Sequence, residues 1–210
     1  MYPLQNTEGK SGPRILFIDY CMMDFDTVRF TDLLKMFFIM TDILMIADDN
    51  IAISGEQLII NFQNIPASFF LQFTPEIFKK MTVCWGTAYP LRIKLCLCIN
   101  APLLVEKLYN TVCKPLMSKK IQNRVHVYSS QNMEKAYTHL PKPLFPERFG
   151  GHNGSHTTLT MEWKRTVENY RGWVMEDSSY KSNEKLRPNK PKTCNEEFGM
   201  EGTFRKLNLD

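Results

Sequence analysis

Arg92 and Lys94 stand two positions apart at the start of an apolar run, Leu95-Cys96-Leu97-Cys98-Ile99. Side chains alternate along a strand, so residues two apart point the same way. Lys114, Lys119, Lys120 and Arg124 follow in the next connection. Such a cluster can be a solvated rim, or it can clasp a phosphate-bearing head group. Cys96 and Cys98 also share one side of their run. Zinc knuckles use turns and two ligand pairs, so these thiols read as small buried apolar groups. Among the four histidines, His126 falls inside a predicted strand, where a structural role is the simpler one. His152 and His156 would offer two metal ligands on one helical face, but neither a third ligand nor a helix signal accompanies them. No dinucleotide fingerprint, phosphate loop or nucleophile elbow appears. The glycine-rich piece Gly150-Gly151-His152-Asn153-Gly154-Ser155 lacks the strand-to-helix setting that a phosphate loop needs. No nucleophile–base pair can be assembled from these parts. The chemistry left is recognition rather than catalysis, so no enzyme, no metal and no cofactor is expected.

Four runs must position these groups: Ile15-Leu16-Phe17-Ile18, residues 57–62, Leu95 to Ile99, and Arg124-Val125-His126-Val127-Tyr128. The first three are almost continuously apolar, as strands covered on both faces are. Helical stretches separate them. One covers Thr27 to Asp49. A second opens at Thr74-Pro75-Glu76, with an N-cap residue, proline at the first helical position and an acid beside it. That helix runs to Tyr89-Pro90. A third starts after Ala101-Pro102 and continues past Cys113. Strands alternating with helices predict an α/β fold with a mainly parallel sheet. In the third helix Leu104, Leu108 and Val112 recur at four-residue spacing and make one face oily. By periodicity alone that face is either an ordinary core helix or the wall of a cavity.

The chain has 210 residues, enough for one domain with an appendage and for a core that encloses a cavity. Lys and Arg number 26 against 22 Asp and Glu, a net charge of +4 that is thinner than the basic footprint of a nucleic-acid binder. No nucleic-acid partner is expected. Six cysteines sit in or beside apolar stretches, and the first residues lack the basic and apolar parts of an export signal. A reducing, cytoplasmic compartment is the expectation. The longest oily stretch, 33–47, carries Lys35 and Asp42 and is shorter than the ~20 residues of a membrane span. Residues 176–197 are charged, polar and proline-rich, and read as a flexible segment.

An ordered series of motifs is more specific than any of its pieces. Leu71-Gln72-Phe73-Thr74-Pro75-Glu76 is followed by Tyr89-Pro90-Leu91-Arg92-Ile93-Lys94 and Asn100-Ala101-Pro102. Next come Lys114-Pro115-Leu116-Met117-Ser118-Lys119-Lys120, Arg124-Val125-His126-Val127 and Phe145-Pro146-Glu147-Arg148-Phe149-Gly150-Gly151. In this order and spacing, residues 12–151 resemble the CRAL-TRIO lipid-binding domain family, on its alpha-tocopherol transfer protein and cellular retinaldehyde-binding protein branch. The resemblance implies a sheet floor flanked by helices, an apolar cavity, and an amphipathic lid helix over its mouth at about 100–121. It divides the chain into a lipid-binding domain over 1–151 and a C-terminal extension over 152–210.

The resemblance also implies a function: transfer between membranes of one hydrophobic ligand, a retinoid, a tocopherol or a phospholipid-like molecule. By the same likeness, Arg92, Lys94 and Lys120 match the basic recess that holds a phosphatidylinositol bisphosphate head group beside the lid. This makes a phosphoinositide-containing membrane surface a transient partner of a cytoplasmic protein. Ile59, Cys96, Cys98, Leu104, Leu108, Val112 and Leu116 are then expected to line the cavity and lid, with Met and Phe supplying adaptable walls. The alternative is a truncated, non-catalytic α/β scaffold that works through protein contacts and carries no lipid. The family's three-helix N-terminal region is expected to be lacking. Asn61 and Asn64 stand where relatives have Asp and Gly, and Asn64 is expected to take the left-handed turn conformation that glycine supplies. Leu95 and Leu97 replace the Gly and His often found there.

Overall fold

A computed structural model of the chain describes residues 1–5, 7, 12–21, 23–177, 179–181, 183 and 186. Two compact units divide it, Met1–Arg171 and Gly172–Asp210. The expected flexible segment 176–197 lies mostly outside the described residues.

The first unit opens with β1 (Tyr2–Pro3) and β2 (Arg14–Asp19), followed by α1 (Phe30–Ala47) and α2 (Asp49–Ser54). The single helix expected over Thr27 to Asp49 therefore stops early. Asp48 ends α1 and caps α2, its side chain accepting the Asn50 N–H at 3.0 Å while it pairs with Arg14. β3 (Glu56–Asn61), α3 (Ala67–Phe70) and α4 (Pro75–Val83) come next. Thr74 caps α4 as expected, its hydroxyl accepting from the Ile77 N–H at 3.3 Å. The helix then widens to a π-type turn at Cys84–Ala88. After β4 (Ile93–Ile99) come α5 (Leu103–Leu108), a second π-type turn at Tyr109–Cys113, α6 (Lys114–Leu116), α7 (Lys119–Gln122) and β5 (Val125–Val127). Short 3-10 segments lead on to α8 (His156–Asn169). In the second unit, α9 (Arg171–Asp177, straddling the division) is closed by Ser179 and Tyr180, whose hydroxyls both donate to Glu176.

Among the described residues, five strands lie in the order β1-β2-β3-β4-β5, parallel except for the antiparallel β1–β2 pair. This is the predicted α/β architecture, with one short edge strand that its two residues are too few to signal. Asn64 takes a left-handed turn at φ 65°, as expected, and Asn100 does the same at 53°.

Register sorts the sheet into two faces. Leu58 pairs with Cys96 and Cys96 with Val125, and Ile60 with Cys98 and Cys98 with Val127; α1, α3, α4, α5 and α7 cover this face. Phe17, Ile59, Leu97 and His126 form the row between them and point to the other face. There Phe17 meets Phe149 at 5.4 Å and stacks on Tyr2 at 5.7 Å. Ile59, expected in the cavity wall, thus belongs to this opposite, solid layer. A continuous apolar run carries no alternation from which its face could be read. His126 stacks on His139 with ring centroids 3.9 Å apart, and the His139 ring meets the Tyr128 hydroxyl at 2.7 Å.

Ser155 caps α8 by accepting the Thr158 N–H at 3.2 Å. His156 therefore opens a helix and His152 lies outside it, so the two share no helical face. His156 instead meets the Tyr2 hydroxyl at 3.1 Å and lies 3.7 Å from the Asp19 carboxylate.

Candidate functional site

The cavity follows from the sheet face just described. Its floor is the two register rows, Leu58-Cys96-Val125 and Ile60-Cys98-Val127, with Ile18 at the edge. Its walls are mainly phenylalanine: Phe30 and Phe37 from α1, Phe69 from α3 and Phe78 from α4. Aromatic edges hold these walls, with Phe30 packed edge-on to Phe73 at 5.1 Å and Phe37 to Trp85 at 5.0 Å. Methionine contributes Met81 and Met117. The enclosed volume is about 200 Å³, and among the described residues no Asp, Glu, Lys, Arg or His side chain lines it. Two thiols on its wall, Cys98 and Cys113, are held in the neutral form. The Cys96 thiol, hydrogen-bonded to Cys98, and burial together push the Cys98 thiol well up, and burial pushes Cys113 up to about 12.

Residues 103–117 roof the cavity. Val105, Leu108, Tyr109, Cys113 and Met117 face inward. Of the lid residues expected from sequence, Leu108 lines the cavity, whereas Leu104, Val112 and Leu116 do not. Leu104 is 40% exposed, Leu116 48% and Leu103 70%, so an apolar strip lies on the outer side. The reason is phase. The inner face steps through Val105, Tyr109, Cys113 and Met117, itself a four-residue spacing but one residue later than the stripe through Leu104, Leu108, Val112 and Leu116. The wider π-type turn Tyr109–Cys113 keeps that step on one side. Cys96 and Cys98 point into the cavity, as expected of residues two apart on β4.

The basic residues cluster at the amino-terminal ends of β4 and β5. Lys94 is the extra residue of a β-bulge, where β4 advances from Ile93 to Leu95 while β3 advances only from Glu56 to Gln57. Simple alternation does not run through a bulge, and the two side chains behave differently. The Arg92 guanidinium turns back to the carbonyls of Ala52 and Ile53, at 3.4 and 2.7 Å, and closes the end of α2. Lys94 is exposed, as are Lys114, Lys119 and Lys120 on the lid and α7. Arg124 donates to the Ile93 carbonyl and ties the beginnings of β4 and β5 together.

A second polar group, not anticipated from sequence, lies at the carboxyl ends of the strands. The Asp19 carboxylate, whose side chain is 1% exposed, pairs with Arg148 and accepts from the Asn61 amide at 3.0 Å. Arg148 also donates to Gln63 at 3.1 Å and to the Cys21 sulfur at 3.0 Å. Asn100 donates to Asn61 at 2.8 Å. Partners that are 129 residues apart in the chain leave no local pattern. The group pins the 147–149 segment to the sheet.

The family model described as the CRAL/TRIO domain matches residues 3–151. Among curated proteins, the chain is similar to alpha-tocopherol transfer protein-like from Homo sapiens, 26% identical over 116 residues, covering 55% of this chain and 33% of that protein. It is similar to clavesin-1 from Rattus norvegicus, 26% identical over 156 residues, covering 74% of this chain and 43% of the relative. Clavesin-2 from the same organism is 23% identical over 169 residues, covering 80% and 50%. The chain thus spans between a third and a half of the length of these relatives.

Proposed function

The chain belongs to the CRAL/TRIO domain family, and from that premise we propose that it binds one hydrophobic, lipid-like molecule in the cavity and exchanges it at membranes. The observation that carries this reading is the uncharged cavity of about 200 Å³ beneath the 103–117 roof. Burial of hydrocarbon stabilises a complex by roughly 25 cal/mol per Å², so several hundred square ångströms yield on the order of 10 kcal/mol before ordering costs. A ligand held that firmly leaves through the lid and into another apolar phase. Ligand pockets usually enclose ~300–1,000 Å³, so a retinoid or tocopherol requires the lid to swing outward. The outer strip Leu103, Leu104 and Leu116 then meets the membrane as the lid opens. Among the described residues no helix is long and apolar enough to cross a bilayer, which suits surface contact.

Organic extraction of the purified protein followed by mass spectrometry is expected to yield one apolar molecule per chain. Repeated extracts with no such molecule, and no uptake of added lipid, sink the reading in favour of a scaffold that acts through protein contacts.

The finer part of the proposal is an anionic head group, of the phosphatidylinositol bisphosphate kind, held beside the lid by Lys94 and Lys120 with Arg92 at the base. The solvent exposure of both lysines supports it, although Arg92 also closes the end of α2. Each basic residue near a bilayer contributes ~1 kcal/mol. The Lys94→Glu/Lys120→Glu double variant should therefore bind phosphoinositide vesicles at least about tenfold more weakly at fixed salt. Sedimentation equal to that of the wild type removes the head-group site and leaves the cavity standing.

A further inference from the structure

His126 and His139 meet behind the cavity floor. Along β5, His126 stands between Val125 and Val127, whose side chains line the cavity, so its own ring turns to the opposite face. There it stacks on the His139 ring, with centroids 3.9 Å apart and planes 22° from parallel. His139 ends the 3-10 segment Ser130–Thr138, and its ring meets the Tyr128 hydroxyl at 2.7 Å. Two half-buried imidazoles thus join β5, the last strand of the sheet, to the segment behind it.

Such a contact holds only while at most one ring is charged. A neutral imidazole lies against a neutral or a charged one without like-charge repulsion, whereas two imidazolium rings at this distance repel. The Tyr128 hydroxyl serves His139 in either state, accepting from a protonated nitrogen or donating to a bare one. On β4, Leu97 lies opposite His126, Cys96 and Cys98 point into the cavity, and Lys94 is exposed at the bulge. On β5, Arg124 is held by the Ile93 carbonyl. In the 3-10 segment Glu134 and Lys135 are exposed, and the Tyr137 hydroxyl donates to the Phe149 carbonyl at 3.2 Å. Among the described residues no carboxylate acts on the His126 ring; burial, and then the His139 ring, hold it below its ordinary pKa of 6.5. A strand released from the stack therefore binds a proton in acid that the stacked form does not, and falling pH favours release.

We propose that the His126–His139 stack is a proton-operated latch on the cavity floor: protonation of both rings, as pH falls from about 7 to about 5, frees β5 from the 130–139 segment. Val125 and Val127 lie on the same strand, so the opening loosens the wall of the cavity. The latch follows from the stack alone. That its opening weakens the hold on a ligand rests on the cavity reading above.

The test is deuterium exchange at the backbone amides of residues 124–128, read at about pH 7.5 and about pH 5 and corrected for the pH dependence of intrinsic exchange. In the wild type the corrected rate should be about tenfold higher in acid, the factor carried by one unit of pKa difference between the two forms. His126→Phe keeps a flat ring to stack and cannot take up a proton, so its corrected rate should stay within about twofold. His139→Gln cannot take up a proton either and still offers the Tyr128 hydroxyl a partner; it should be equally flat, and it decides the matter if the phenylalanine variant does not fold. Release of the fluorophore N-phenyl-1-naphthylamine should rise in acid from the wild type and not from the variants. A corrected rate equal at both pH values in the wild type, or a rise shared by wild type and variants, overturns the latch. A fluorophore that binds the wild type at neither pH overturns the cavity reading instead, and the exchange still decides the latch.

Discussion

Glu56→Met should raise stability by about 3 kcal/mol at about pH 8 and flatten the pH dependence of unfolding below neutrality. Glu56 is 0% exposed in β3, and among the described residues neither carboxyl oxygen has a hydrogen-bond partner. Burial pushes its pKa from 4.5 up to about 7. Between those values the native state holds a proton that the unfolded chain has released. The contribution of this group is therefore fully present below about pH 4.5 and is lost as pH rises through about 7. Methionine removes the titration and fills a similar space without an unpaired polar atom. Glu56→Gln removes the titration and keeps an amide in the same place, so it should flatten the curve with a smaller gain. Urea denaturation of wild type and both variants across this range checks the expectation; parallel curves for all three would refute it.

Gly151→Ala should destabilise the protein by about 3 kcal/mol or more, the upper end for overpacking. A Cβ at Gly151 would lie 1.9 Å from the Phe145 carbonyl oxygen and 2.7 Å from that of Lys142. Both obstacles are backbone, Lys142 opening a 3-10 segment and Phe145 capping its end, so no side chain can swing aside. Gly172→Ala is the control. Among the described residues nothing lies within 4 Å of a Cβ there, and alanine in α9 should be neutral or stabilising by up to ~1 kcal/mol. Equal denaturation midpoints for Gly151→Ala and the wild type would show that the segment after Phe145 yields more easily than its close contacts imply.

These two positions bear on function because they frame the floor on which the ligand is proposed to rest. Glu56 stands where β3 passes the bulge that carries Lys94, and Gly151 lies just past the segment that Arg148 ties to Asp19. A change at either is expected to move stability without touching the cavity wall, since neither residue lines it. Ligand affinity at a pH where both variants are folded separates the two effects.

Much of the scaffold was legible in the residues alone. β2, β3 and β4 were marked by apolar runs, β5 by the β-branched run Arg124 to Tyr128, α4 by Thr74-Pro75, and the turn at Asn64 by a side chain that tolerates a left-handed backbone. Each of these signals is local: it depends on propensities and caps within a few residues. The ordered motifs from Leu71 to Gly151 located the family for the same reason.

The cavity's membership was another matter. Ile59 lies in an unbroken apolar run, and only pairing with Phe17 and Leu97 assigns it to the opposite face. The lid's inner face runs through Val105, Tyr109, Cys113 and Met117, one residue out of step with the stripe through Leu104 and Val112, and spacing alone does not say which of two adjacent apolar stripes turns inward. The bulge at Lys94 breaks the alternation on which its pairing with Arg92 was argued. Asp19 and Arg148 meet across the whole first unit. A sequence records which residues prefer a strand or a helix. Which side of that element faces the hollow is decided by strand register, inserted turns and long-range partners, and those exist only once the chain has closed on itself.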